Sequence, residues 1–147
     1  MCDEHRTEAA PDPSFVDRRA WPRPCRPAEA RRAVERAVSE RCRVTRTPCD
    51  AQGLSDALLV TSELTTNAIL HGGGITDFRV DVEGRGVRVS VSDRSAEVPV
   101  AKTPVDPNGR WRPGGHGWPI VCRLARDVRV TDLPAGGKRI TALVPLG

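Results

Sequence analysis

The sequence has no tyrosine and few aromatic residues of any kind, only 3% of its 147 residues. Its core must therefore be built from Leu, Val, Ile and Ala. No apolar run approaches the ~18 residues of a membrane span, so no membrane partner is expected. Lysine is nearly missing: Lys102 and Lys138 stand against 21 arginines. The net charge of +4 and pI of about 9.1 raise the question of nucleic acid. The arginines are scattered, however, and no aromatic platform, helix-turn-helix signature or Lys/Arg run accompanies them. They read as a solvated basic surface, with no direct nucleic-acid partner. There is no Cys-x-x-Cys pair, and the cysteines number five, an odd count. That argues against a zinc site or a disulfide framework, and for free thiols in a reducing compartment. The first ten residues are polar, so no secretory signal is expected and the cytoplasm is the expected location.

What is present is a change of hydrophobic period along the chain. Residues 1–20 show mixed charge and little apolar periodicity, and are expected as a flexible N-terminal tail before a single domain over 21–147. A Pro-punctuated segment around Trp21 reads as a short edge strand. Pro27 suits the first turn of a helix, and Ala30, Ala33, Val34, Ala37 and Val38 follow at helical spacing. After a loop over 47–53, a second helix runs from near Leu54 to His71. Leu54, Ala57, Leu58, Leu64 and Ala68 form its apolar stripe. Gly72 is expected to take a left-handed cap.

The period then switches to two. Phe78, Val80 and Val82 alternate, as do Val87, Val89 and Val91. Glu-Gly-Arg-Gly between them reads as a hairpin turn. A Pro/Gly-rich loop over 99–117, a short helix around Trp118–Ala125 and two strands joined by Pro-Ala-Gly-Gly complete the chain. The order predicts an α+β fold, a two-layer sandwich with helices on one face of a mostly antiparallel sheet.

Within this frame Glu63, Asn67 and His71 recur four residues apart, which places them on one helix face beside leucines. Each remaining element has a use in binding a nucleotide with a metal. Asn67 offers a neutral oxygen to Mg²⁺. Glu63, one turn earlier, is placed to accept a proton from an attacking hydroxyl. Asp93, at a strand end, can accept from the exocyclic amino group of adenine. Gly114, Gly115 and Gly117, with His116 and Trp118, open a helix whose backbone N–H groups can close on phosphates. The plainer readings are a structural role for His71, a hairpin turn for Gly136, Gly137 and Lys138, and solvated surface for Arg94 and Arg112.

Glu63-Leu64-x-x-Asn67-Ala68-x-x-His71-Gly72, Asp93-x-Ser95 and Gly115-x-Gly117, in this order, resemble the N box and two glycine boxes of GHKL ATPase domains. Within that group the chain is most similar to the small anti-sigma-factor serine/threonine kinases, over nearly its whole length. The resemblance implies a Bergerat-type fold that binds ATP and Mg²⁺. It implies Glu63 as general base, Asn67 as magnesium ligand, Asp93 as adenine selector and residues 114–118 as part of an ATP lid. It also implies an anti-anti-sigma (STAS-type) protein as substrate, a sigma factor as second partner, regulation of transcription by partner switching, and a homodimer. The chain departs from the family at Trp118-Pro119, where a small aliphatic residue is usual, and at His116, where Arg is common. A non-catalytic, ATP-dependent interaction switch is the alternative function.

Overall fold

The structure, a computed structural model, describes residues 4–8, 24, 26–97 and 117–147. Its elements are β1 (Glu4–Glu8), α1 (Pro27–Thr45), α2 (Ala51–His71), β2 (Ile75–Glu83), β3 (Gly86–Asp93), α3 (Gly117–Leu124), β4 (Asp127–Asp132) and β5 (Lys138–Pro145). The five strands form one sheet in the order β1-β4-β5-β3-β2. The four strands β2 to β5 are antiparallel, and β1 joins β4 in parallel. This is the expected α+β sandwich. Glu4–Glu8 lies inside the segment expected as a loose tail, yet it pairs as an edge strand. Backbone hydrogen bonding to an open edge needs no apolar alternation, so the sequence pattern carried no sign of it. The expected strand at Trp21 and most of the loop over 99–117 lie outside the described residues.

Each helix begins and ends for a local reason. Pro27 occupies the first turn of α1, and Arg46 closes it in the left-handed conformation (φ 52°). Asp50 caps α2, its carboxylate accepting from the backbone N–H of Gly53 at 3.0 Å. The β2–β3 hairpin turns through Gly84 (φ 53°) and Arg85, pairing Glu83 with Gly86.

The core is aliphatic. Val34 and Val38 of α1, Val60 and Leu64 of α2, and Val87, Val89 and Val91 of β3 are all buried; Phe78 is the one buried aromatic side chain among the described residues. Each such side chain contributes about 1.5–3 kcal/mol on burial. Thr61 and Thr65 are also wholly buried. Their hydroxyls donate to the carbonyls of Ala57 and Thr61, each at 2.7 Å. A threonine satisfied by its own helix can therefore share the aliphatic layer.

Two cysteine expectations are met and one is not. Cys42 and Cys49 are free. Cys122, in α3, is disulfide-bonded, against the expected set of free thiols. An odd count without regular spacing gives no signal for which cysteines the fold brings together.

Candidate functional site between α2, α3 and the β3 end

The C-terminal half of α2 carries the first group. Glu63 and Asn67 are half-buried and His71 is exposed. The Glu63 carboxylate lies against Gly117, the first residue of α3. A Cβ built on Gly117 would collide with Glu63 Oε2 and lie 2.8 Å from its Cδ. Only glycine lets the α3 N-terminus approach the acid this closely. The partial positive charge of a helix N-terminus favours a carboxylate there. Trp118, next in α3, packs partly buried against the core.

The second group lies where α2 ends. Gly72 is buried with φ −102° and ψ 3°. It is not the left-handed cap expected from the sequence; Gly73 (φ 76°) and Gly74 (φ 106°) take the positive values instead. Glycine is needed at 72 for space, because a Cβ would run into the Asp93 side chain. The Gly72 carbonyl accepts from the backbone N–H of Arg94 at 2.9 Å. That bond ties the end of α2 to the end of β3 and sets Asp93 beside it.

Asp93 is buried, as the pairing across the sheet explains. It stands directly opposite Lys138, the first residue of β5. The Lys138 ammonium donates to Asp93 Oδ2 at 2.8 Å and to Oδ1 at 3.0 Å. Both side chains are only 3% exposed. Oδ1 also accepts from the Ser95 backbone N–H at 2.9 Å, and the ammonium reaches the Ser95 carbonyl at 3.4 Å. Gly137 packs so tightly on the Asp93 carbonyl that no Cβ fits. Thr141 shares a hydroxyl–hydroxyl bond with Ser90 at 2.9 Å, one residue out of phase with Ile140 and Ala142 of the buried face.

The structure thus brings together Glu63 with Gly117, and Asp93 with Gly72, at two places along α2. Nine residues of helix separate them, roughly 13 Å. Asn67 lies between. Gly114, Gly115 and His116 lie outside the described residues. Lys138, expected as part of a hairpin turn, instead begins β5 and pairs with Asp93. It is one of only two lysines in a chain that otherwise uses arginine, and its ammonium reaches both carboxylate oxygens of Asp93.

Among the described residues, no group of three or more His, Cys, Asp or Glu side chains is arranged to hold a metal ion. None of their helices is long and apolar enough to cross a membrane. The family model for the histidine kinase-like ATPase domain matches residues 23–143. No curated protein matches the chain.

Proposed function

Because the chain belongs to the histidine kinase-like ATPase domain family, we propose that it is an anti-sigma-factor-type serine/threonine kinase. In this reading it binds Mg-ATP along the C-terminal half of α2 and phosphorylates an anti-anti-sigma, STAS-type partner. ATP binding follows from the family. The finer role rests on the resemblance of the Glu63–Gly72 motif and its companions, and on one observation: the Glu63 carboxylate set against the N-terminus of α3, with Asn67 one turn away.

The residues divide the work by position. Asp93 and Gly72 form the base end of the site. Asn67 would hold Mg²⁺ through its amide oxygen. With no protein cage of acids among the described residues, one amide ligand suits an ion that takes its other oxygens from phosphates and water. The ion would neutralise phosphate charge. Gly117 and the start of α3 offer backbone N–H groups toward the phosphate end. Glu63 accepts the proton of the partner's serine hydroxyl. As that oxygen bonds the γ-phosphorus, the bond from phosphorus to the β–γ bridging oxygen breaks and ADP leaves. Positioning and charge neutralisation carry such a transfer.

A sigma factor bound on a separate surface, a homodimer and a cytoplasmic setting complete the proposal by resemblance. The test is transfer of label from γ-labelled ATP to a STAS-type protein, with the modified serine located by mass spectrometry. If ATP changes partner affinity but no phosphate moves, the protein is the non-catalytic switch.

A further inference from the structure

Asp93 does not face a ligand alone. Its carboxylate and the Lys138 ammonium form one buried unit, 97% removed from solvent on both sides. Counting hydrogen bonds shows what the unit still offers. Among the described residues, Oδ1 accepts twice, from Ser95 N–H and from Lys138, and Oδ2 accepts from Lys138 alone. One lone pair on Oδ2 is left over. Of the three ammonium contacts, the one to the Ser95 carbonyl is the longest, at 3.4 Å. That N–H is the most weakly held and the most readily turned to a ligand.

A lone carboxylate offers acceptors only. It pairs with the 6-amino group of adenine and repels the 6-oxo oxygen of guanine or hypoxanthine, lone pair against lone pair. Beside an ammonium the unit offers one acceptor and one donor. Adenine presents an N–H at position 6 and an acceptor at N1; a 6-oxopurine presents an acceptor at O6 and an N–H at N1. Each edge matches the unit with the two roles exchanged. We propose that Lys138 is a specificity-determining residue which lets the base site take 6-oxopurine nucleotides alongside ATP. The inference rests on the reading of Asp93 as the base-binding acid.

The test is calorimetric titration of the folded protein with the magnesium complexes of ATP, ITP and GTP. ITP carries the 6-oxo edge without the 2-amino group of guanine, so it isolates the contact in question. The expected wild-type result is ATP and ITP affinities within about tenfold. A charged hydrogen bond is worth ~1.5–3 kcal/mol, roughly 10- to 100-fold. Lys138→Met removes the donor and should worsen ITP relative to ATP by about that factor. Lys138→Gln keeps an N–H donor and should retain ITP, and it carries the comparison if the Met variant does not fold. GTP weaker than ITP in the wild type would still support the proposal, by adding a steric limit at the 2-amino group. Wild-type preference for ATP over ITP beyond about 100-fold, unchanged in either variant, would overturn it while leaving the ATP site intact. Failure to bind any of the three would overturn the nucleotide reading itself and this inference with it.

Discussion

The backbone of Gly117 packs against the Glu63 carboxylate with no room for a side chain between them. Gly117 is the first residue of the helix α3, a conformation that a larger residue also adopts. Among the described residues, the atoms that an added Cβ meets first belong to Glu63. Gly117→Ala should therefore fold and melt close to wild type while pushing Glu63 off its position. Phosphotransfer should fall by roughly 10- to 100-fold, in line with the cost of misplacing a catalytic group. Wild-type turnover in this variant would mean that the closeness of the two residues has no part in the chemistry.

Glu63 and Asn67 should separate by experiment, although they occupy adjacent turns of one helix. Glu63→Ala should leave Mg-ATP binding nearly unchanged and slow phosphotransfer by about 10²–10⁴-fold, the usual contribution of a general base. Asn67→Ala should instead remove the dependence of ATP affinity on Mg²⁺. Titrations with and without the ion check the second, and single-turnover transfer checks the first. If both variants lose ATP binding equally, the division of roles between them is wrong.

Much of the architecture could be read from the period of the apolar residues, because the sandwich buries nearly every position that the helical and strand patterns mark. Val34, Leu64, Val89 and Val130 are all buried, each on its expected element. Glu63 and Asn67 could be put on one helix face from sequence spacing because one element, α2, carries both. Contacts between two distant segments were not legible. Lys138 lies 45 residues from Asp93 in sequence, and only the β3–β5 register makes them partners. Gly72 likewise owes its identity to Asp93 rather than to helix capping, and a sequence shows a glycine without showing what it makes room for. β1 escaped because strand addition at a sheet edge is written in backbone geometry.

Gly72→Ala is predicted to be damaging for a steric reason alone. Its backbone is not in the left-handed region, so alanine is conformationally acceptable. The added Cβ, however, meets the Asp93 carboxylate, which is held on its other side by Lys138 and Ser95. Overpacking of this kind costs about 1–3 kcal/mol. Chemical denaturation should show that loss, and nucleotide affinity should fall with it. Gly73→Ala is the control with opposite logic: its φ is 76° but a Cβ there meets no atom of the described residues nearer than 3.6 Å, so stability should drop while ATP affinity is kept.

The free thiols at the α1–α2 turn offer a pH test. The Cys42 thiol is pushed above its ordinary range, chiefly by its hydrogen bond with Cys49 and then by burial. Because the thiolate is the reactive form, Cys42 should alkylate more slowly than Cys49 at pH 8. Its labelling should rise at higher pH than that of an ordinary thiol. Cys49→Ala removes the contact, so the labelling of Cys42 should shift to lower pH, toward that of an ordinary thiol. Peptide-resolved labelling over pH 7 to 10, roughly bracketing a free thiol's titration, measures it; equal rates for both residues at pH 8 would contradict the assignment.

The Asp93–Lys138 pair should behave as a unit in stability as well as in binding. Removing one partner strands the other charge in a site with almost no solvent, a change that costs about 3–5 kcal/mol in buried pairs. Lys138→Met alone should lower the unfolding free energy by that order. Asp93→Asn with Lys138→Met leaves no charge behind, and the Asn side chain can still accept from the Ser95 N–H. The double variant should therefore recover much of the loss, even though it has lost both members of the proposed base-binding unit. A double-mutant cycle in denaturant measures the coupling, which should be well above the ~0–1 kcal/mol of an exposed ion pair. Additive losses would show that the two side chains do not depend on one another. Strong coupling together with a double variant that is stable but blind to nucleotide would place the binding defect in the lost polar groups, not in a damaged fold.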